Sequence, residues 1–395
     1  MQFRNKFKLK LTYHYQSYLL FILWISGTIK QFLYAFHLNI DIVSLSAAFV
    51  IVDIFLNIFF RKIILSNFTI KVFLLILLLL SFILTSLIYS PSSEYKFEKA
   101  FSFLVNILYF LYPVFIKSID INKITKSYLF IVLPLSVIYV YFTSIMWNNY
   151  SVVTAIFREA GFDYLSIGFH LGILVLLLNY QKYPLWLQLI TLLLLFASAA
   201  RGPLIITLIV LFVTHYKKFI EIKKRAFTNM LVICLLTVSI FSFFQTSEIN
   251  IFDNAISRFR SLESGNDNST NARLEMMRFA FQYPFKSEST ILFGNGFGSF
   301  GILFNNLDAR AYPHNIFLEI FFELGLIGTL ILSLLFITLF SKSKFRSNIF
   351  AILLLFATLN AFKSSSVIDL WTLFSFVGCY TKQIESNKTY SFLIQ

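Results

Sequence analysis

Apolar runs of about 20 residues, separated by short polar clusters, recur along most of the chain. A helix rises about 1.5 Å per residue, so a run of that length crosses a hydrocarbon core about 30 Å thick. On this rule the pattern predicts twelve spans, at 15–36, 38–60, 68–90, 97–116, 127–147, 162–180, 184–200, 203–216, 227–245, 313–340, 347–363 and 366–381. The turns near Ala200 and Lys363 are so short that the flanking spans must form tight hairpins. One stretch breaks the pattern. Residues 246–312 alternate charges of both signs with Gly, Ser and Asn, and separate spans one to nine (1–245) from the last three spans and the tail (313–395).

Inside that stretch, Ser264–Thr270 carries turn residues. Asn271–Gln282 has the spacing of an amphipathic helix suited to a membrane surface, with Pro284 placed to stop it. The run Phe293-Gly-Asn-Gly-Phe-Gly-Ser-Phe-Gly301 predicts a glycine-dependent turn, with backbone approaching a ligand or membrane closely, or a plain loop bend. Its spacing is not that of a dinucleotide fingerprint.

Composition strengthens the membrane reading. The chain is 58% hydrophobic and 13% charged, with fifty Phe, more apolar surface than a soluble fold of this size can bury. The predicted class is an all-α, polytopic membrane protein. No cleavable signal peptide is evident, and Cys234 and Cys379 both fall in spans, where packing is the expected role.

The net charge of +14 does not point to nucleic acid, because its distribution follows topology. Basic clusters at Arg4–Lys10, Arg61–Lys71, Lys117–Lys126, Lys217–Arg225 and Lys342–Arg346 all fall on one side of a twelve-span arrangement. The positive-inside rule then puts both termini in the cytoplasm and 246–312 outside.

That orientation gives two helix starts a common position. Ala200-Arg201-Gly202-Pro203 opens span eight and Pro313-His314-Asn315 opens span ten, both running from outside to inside. Their unpaired amides and positive dipole ends face outward, where phosphate is readily held. Arg201 sits on one and His314 on the other, and Arg273 and Arg310 from the external stretch are placed to complete a clamp. The plainer alternatives are a snorkelling Arg201 and an interfacial, packing His314. Glu319 and Glu323, four apart, are expected to partner other polar groups, and Asp53, Lys30 and His170 to make buried polar contacts. The chain has no Asp-x-Asp pair, zinc-type histidine pair, phosphate-binding Walker loop or nucleophile elbow.

These residues resemble a known family. His314-Asn315 followed at fixed spacing by Gly325 and Gly328, Ala200-Arg201-Gly202 before an apolar span, and Asn271-Ala-Arg273 followed by Gly294-Asn-Gly296 together look like the bacterial O-antigen ligase and polymerase superfamily. The likeness covers roughly residues 184–340, with Ala200 where the family has Ser. It implies a GT-C-like membrane glycosyltransferase that needs no metal or other cofactor. Its donor would be a glycan on undecaprenyl diphosphate. Arg201 and Arg273 would bind the diphosphate and His314 would activate the acceptor hydroxyl; Arg310 is added here from the arrangement alone. The implied setting is the outer face of the cytoplasmic membrane, with a lipid-linked repeat unit or lipid A core as acceptor, and in some systems a chain-length regulator as partner. A repeat-unit polymerase is favoured over a ligase on composition. A lipid-linked oligosaccharide transporter would instead use midplane groups such as Asp53 and His170, and a receptor or scaffold would not depend on His314.

Overall fold

In the computed structural model the described residues are 2–60, 65–148, 164–221, 268–342 and 348–392. They are helical nearly throughout. The helices are α1 (Gln2–Ala35), α2 (Ile42–Phe60), α3 (Asn67–Ser86), α4 (Tyr95–Phe115), α5 (Ile121–Ser127) and α6 (Leu133–Asn148). They continue with α7 (Tyr164–Tyr180), α8 (Leu185–Ala197), α9 (Arg201–Glu221), α10 (Asn268–Gln282), α11 (Glu288–Phe293) and α12 (Phe300–Asn305). The last three are α13 (Ile316–Ser341), α14 (Ile349–Ser364) and α15 (Trp371–Phe392). A π-helical turn, Tyr128–Val132, joins α5 to α6.

Four segments among the described residues are long and apolar enough to cross a membrane: Ile42–Phe60, Asn67–Ser86, Ile121–Phe142 and Ile316–Ser341. Tyr164–Tyr180, Leu185–Ala197, Arg201–His215 and Ile349–Ser364 are shorter apolar helices. The protein is therefore an all-α polytopic membrane protein. The predicted span 227–245, Cys234 and the turn residues 264–267 lie outside the described residues. The predicted amphipathic helix is α10, and Pro284 falls in the 3₁₀ turn Tyr283–Lys286 that follows it.

The chain forms two compact units that interleave in sequence. The first comprises Met1–Ser46, Asp120–Asp267 and Phe345–Ile352. In it, α8 and α9 pack on α7, and α1 packs on α5. Gly168 allows the approach of the α8–α9 turn, since a Cβ there would stand 2.2 Å from the Ala200 Cβ. His170 is buried with its Nδ1 3.2 Å from the Tyr128 hydroxyl, as expected of a buried polar contact. Lys30 instead makes a partly exposed ion pair with Asp41 at 3.1 Å.

The second unit comprises Ala47–Ile119, Asn268–Lys344 and Leu353–Gln395. Helix α15 lies along α4, with Gly378 so close that a Cβ would meet the Phe110 carbonyl oxygen at 2.2 Å. Such small residues let helix backbones approach where lipid supplies no hydrophobic drive. Cys379 beside it is buried and forms no disulfide. Helix α13 packs on α3 and carries α10, α11 and α12. An aromatic cluster fastens them: Ala280, Phe300 and Phe322 are fully buried, ringed by Met276, Phe279, Tyr283, Leu303, Phe304 and Leu318. Residues 268–312 are thus anchored by their own apolar residues to the start of α13.

Candidate functional site

The site is built around the first turns of α13. Asn315 caps the helix: its Oδ1 accepts from Leu318 N at 3.1 Å, while its Nδ2 donates to the Phe362 carbonyl at 2.8 Å. The cap explains why the helix starts at Ile316 rather than at 313. His314 lies just outside it in the left-handed region, with φ 54°. A non-glycine residue there is uncommon, and such strain concentrates at functional sites.

The His314 ring is partly buried, packs on Tyr312 with ring centroids 4.4 Å apart, and has an Nδ1 that is buried without a hydrogen-bond partner. Burial, then the positive charge of Arg273, hold its pKa down at about 4, against the smaller opposing pull of Glu319 and the Ser364 backbone. The ring is therefore neutral near pH 7, with a lone pair on it.

Arg273, on the second turn of α10, and Arg310, in the loop before α13, both act on His314 by their charge. Arg310 is also engaged: its Nη2 donates to both oxygens of Asp369, at 2.9 and 2.7 Å, while its side chain stays 50% exposed. Arg201 is the first residue of α9, at a helix N-terminus as expected, in the first unit. It follows Ala199, which is left-handed at φ 59°.

Gly325 explains the glycines. Its φ of 63° and ψ of −162° break α13 into two helices, in a region of backbone space essentially closed to other residues. A break of this kind frees carbonyls of the preceding turn. The Phe322 carbonyl accepts from Asn295 N and Asn295 Nδ2, both at 2.9 Å, and the Glu323 carbonyl accepts from Gly296 N at 2.9 Å. The glycine run is thus the partner of the kink, and its backbone approaches the protein's own helix. A Cβ on Gly294 would stand 2.3 Å from the Glu323 carbonyl carbon, and one on Gly296 2.4 Å from the Ser90 Cα. Gly328, one turn on, meets Leu324: a Cβ there would lie 2.3 Å from the Leu324 Cβ.

Beneath the kink sits a charge cluster. Lys99 of α4 reaches Glu319 Oε1 at 2.6 Å and Glu323 Oε1 at 2.7 Å, all three side chains having no solvent exposure. The Phe297 ring covers the Lys99 ammonium at 4.9 Å. Glu319 also accepts from Ser366 Oγ at 2.7 Å and Val367 N at 2.9 Å. The expectation that the two glutamates partner polar groups names their kind of role but not the partners.

Asp308 closes the loop onto α4. Its carboxylate accepts from the Ser92 and Ser93 hydroxyls and from the N–H groups of Ser93 and Glu94, at the helix start. Burial pushes its pKa up, but these bonds win and hold it well below the usual carboxylate range.

Sequence alone does not place Lys99, Asp308, Ser366 or Asp369 at the site. Lys99 did carry a signal, since a lysine inside an apolar run demands a buried partner. Asp308 and Asp369 look like ordinary loop carboxylates until the fold brings their partners to them.

Fold and site together define a polytopic membrane protein with a histidine and two arginines at the mouth of a kinked helix. Residues 186–333 match the family model described as O-antigen ligase, a family of membrane glycan-transferring enzymes. The matched range contains Arg201, Arg273, Gly294, Gly296, Arg310, His314, Asn315, Gly325 and Gly328. Among curated proteins, none matches the chain.

Proposed function

We propose that this protein is a membrane glycosyltransferase that moves a glycan from undecaprenyl diphosphate to a sugar hydroxyl, acting as a repeat-unit polymerase at the outer face of the cytoplasmic membrane. The observation that carries this reading is a neutral His314 ring with an unpartnered Nδ1, flanked by the charges of Arg273 and Arg310. In the reaction, the acceptor oxygen attacks the donor's anomeric carbon and the bond from that carbon to the phosphate oxygen breaks. His314 takes the hydroxyl proton, and undecaprenyl diphosphate leaves with the bonding pair. Arg273 and Arg310 hold the diphosphate, and the N-terminus of α13 adds to the field that stabilises the leaving charge. No metal or other cofactor is assigned a role.

The same geometry couples binding to basicity. With no donor, Arg273 depresses His314. A diphosphate bound at Arg273 offsets that charge, so the ring becomes a better base as the donor arrives. This reading adopts the twelve-span topology with both termini inside. The alternative acceptor, lipid A core or a protein, would make the enzyme a ligase.

The test is a glycan gel of a deletion strain complemented with wild type, H314A or R273A, with membrane levels checked. Wild type should restore the ladder while both variants fail. Single capped repeats in the deletion strain mean polymerase, and accumulated long lipid-linked chains mean ligase. Full complementation by both variants refutes this site and favours the transporter.

A further inference from the structure

The buried charge cluster connects to the site by a traceable path. Lys99 holds Glu319, and Glu319 holds the Ser366 hydroxyl and the Val367 N–H. Those two residues begin a 3₁₀ turn, Val367–Asp369, closed by Asp369 N donating to the Ser366 carbonyl at 3.0 Å. Asn106 Nδ2 fixes the turn from the other side through the Val367 carbonyl, at 2.8 Å. Asp369 then grips Arg310 through both carboxylate oxygens. Every link is a hydrogen bond or ion pair between residues of the second unit, and Lys99 and the 366–369 turn lie outside the matched domain.

A fully buried ion cluster is weak evidence for stability, because desolvation offsets most of its Coulomb gain. Its better attested value is geometric. Here the geometry concerns a turn whose last residue aims a half-exposed arginine. Arg310 on a free loop would sample many rotamers and lose entropy on meeting an anion; held by Asp369, it has already lost that freedom.

We propose that Glu319, seated by Lys99, is a positioning residue for donor binding: through Ser366 and Val367 it sets the turn whose Asp369 presents Arg310 to the donor's diphosphate. The proposal rests on the reading that Arg310 holds that diphosphate. It differs from a general structural role in what it moves. Loss of the relay weakens donor binding and leaves the chemical step at His314 largely alone.

Purified enzyme is assayed for kcat and donor KM with a synthetic polyprenyl-diphosphate-linked repeat unit. The set is wild type, E319Q, D369N, the E319Q/D369N double variant, S366A and H314A, each confirmed folded by its thermal transition. E319Q and D369N should each raise KM about tenfold with kcat within about threefold. The double variant should be no worse than the worse single, because both act through one arginine. S366A should raise KM about threefold. Should E319Q fail to fold, S366A with D369N and their double variant decide the matter by the same criterion.

An unchanged KM in E319Q or S366A, a loss confined to kcat, or additive effects in the double variant would overturn the relay. H314A separates the two levels of the argument. If it loses kcat while E319Q leaves KM unchanged, the catalytic reading stands and the relay is wrong. If H314A keeps its kcat while E319Q and D369N share one KM effect, the relay stands and His314 is not the base.

Discussion

Replacing Gly325 by alanine strikes the point on which the site turns. The substitution forces an L residue to φ 63°, ψ −162°, at a cost of about 1–3 kcal/mol. The added Cβ would also stand 2.5 Å from the Leu292 carbonyl carbon and oxygen and 2.6 Å from Gly294 N. These are backbone atoms, so no side chain can swing away. One escape is for α13 to straighten. The Phe322 and Glu323 carbonyls then return to the helix ladder, and the three hydrogen bonds from Asn295 and Gly296 are lost. Each such bond is worth about 1 kcal/mol net, but the new helical bonds largely replace the carbonyls' share. What remains is the stranded Asn295 and Gly296 donors and the displaced glycine run, for a total of about 3–4 kcal/mol. The assay is the thermal transition of purified protein in detergent, read beside the glycan ladder in complemented cells. G294A strikes the same contact from the other side, with its Cβ 2.3 Å from the Glu323 carbonyl carbon. The G325A/G294A double variant should therefore cost clearly less than the two singles added. A G325A protein with wild-type melting and a full ladder refutes the account of the kink, as does strict additivity.

Further outcomes are expected from the surrounding groups. N315A should lose about 1 kcal/mol for the helix cap and more for the Phe362 contact. N315D should keep the cap and lose only the latter, so equal melting of the two variants would contradict the assignment. Tyr95 is almost fully buried and its hydroxyl has no hydrogen-bond partner, so Y95F should melt at or above the wild-type temperature with its ladder intact; a clear loss would mean that the hydroxyl serves a substrate or a water. His314 titrates at about 4 in the folded protein, below its ordinary value of about 6.5. Its contribution to stability is therefore complete above about pH 6.5 and lost as the pH falls toward 4, because the unfolded chain takes up the proton first. For catalysis, kcat/KM should hold from pH 7 to 5 and fall near pH 4, and kcat, measured with donor bound, should fall at a higher pH. An acid limb in kcat/KM near 6.5 would show that burial and Arg273 do not act on the ring as described.

Much of this protein is written in local sequence. Apolar runs of spanning length mark the helices, Pro313-His314-Asn315 before an apolar run marks the start of α13 to within a turn, and Asn271–Gln282 carries its own amphipathic period. Each of these depends on residues within a turn or two, which is the range over which hydropathy, capping and backbone freedom act. The identity of the matched domain was legible for the same reason, since its motifs are short and in order. Tertiary structure alone decided what the motifs do. Gly325 and Gly328 are spaced alike whether a helix is straight or broken, and only the meeting of Gly294 and Gly296 with the Phe322–Glu323 carbonyls shows that it is broken. Lys99 and Glu323 stand 224 residues apart, and their pairing depends on which helices adjoin and how each is rotated about its axis. The Asp369 grip on Arg310 depends in the same way on where two loops end. Local chemistry chose the helices and their ends, whereas the burial of charges, which have no escape in a membrane except one another, chose how those helices meet.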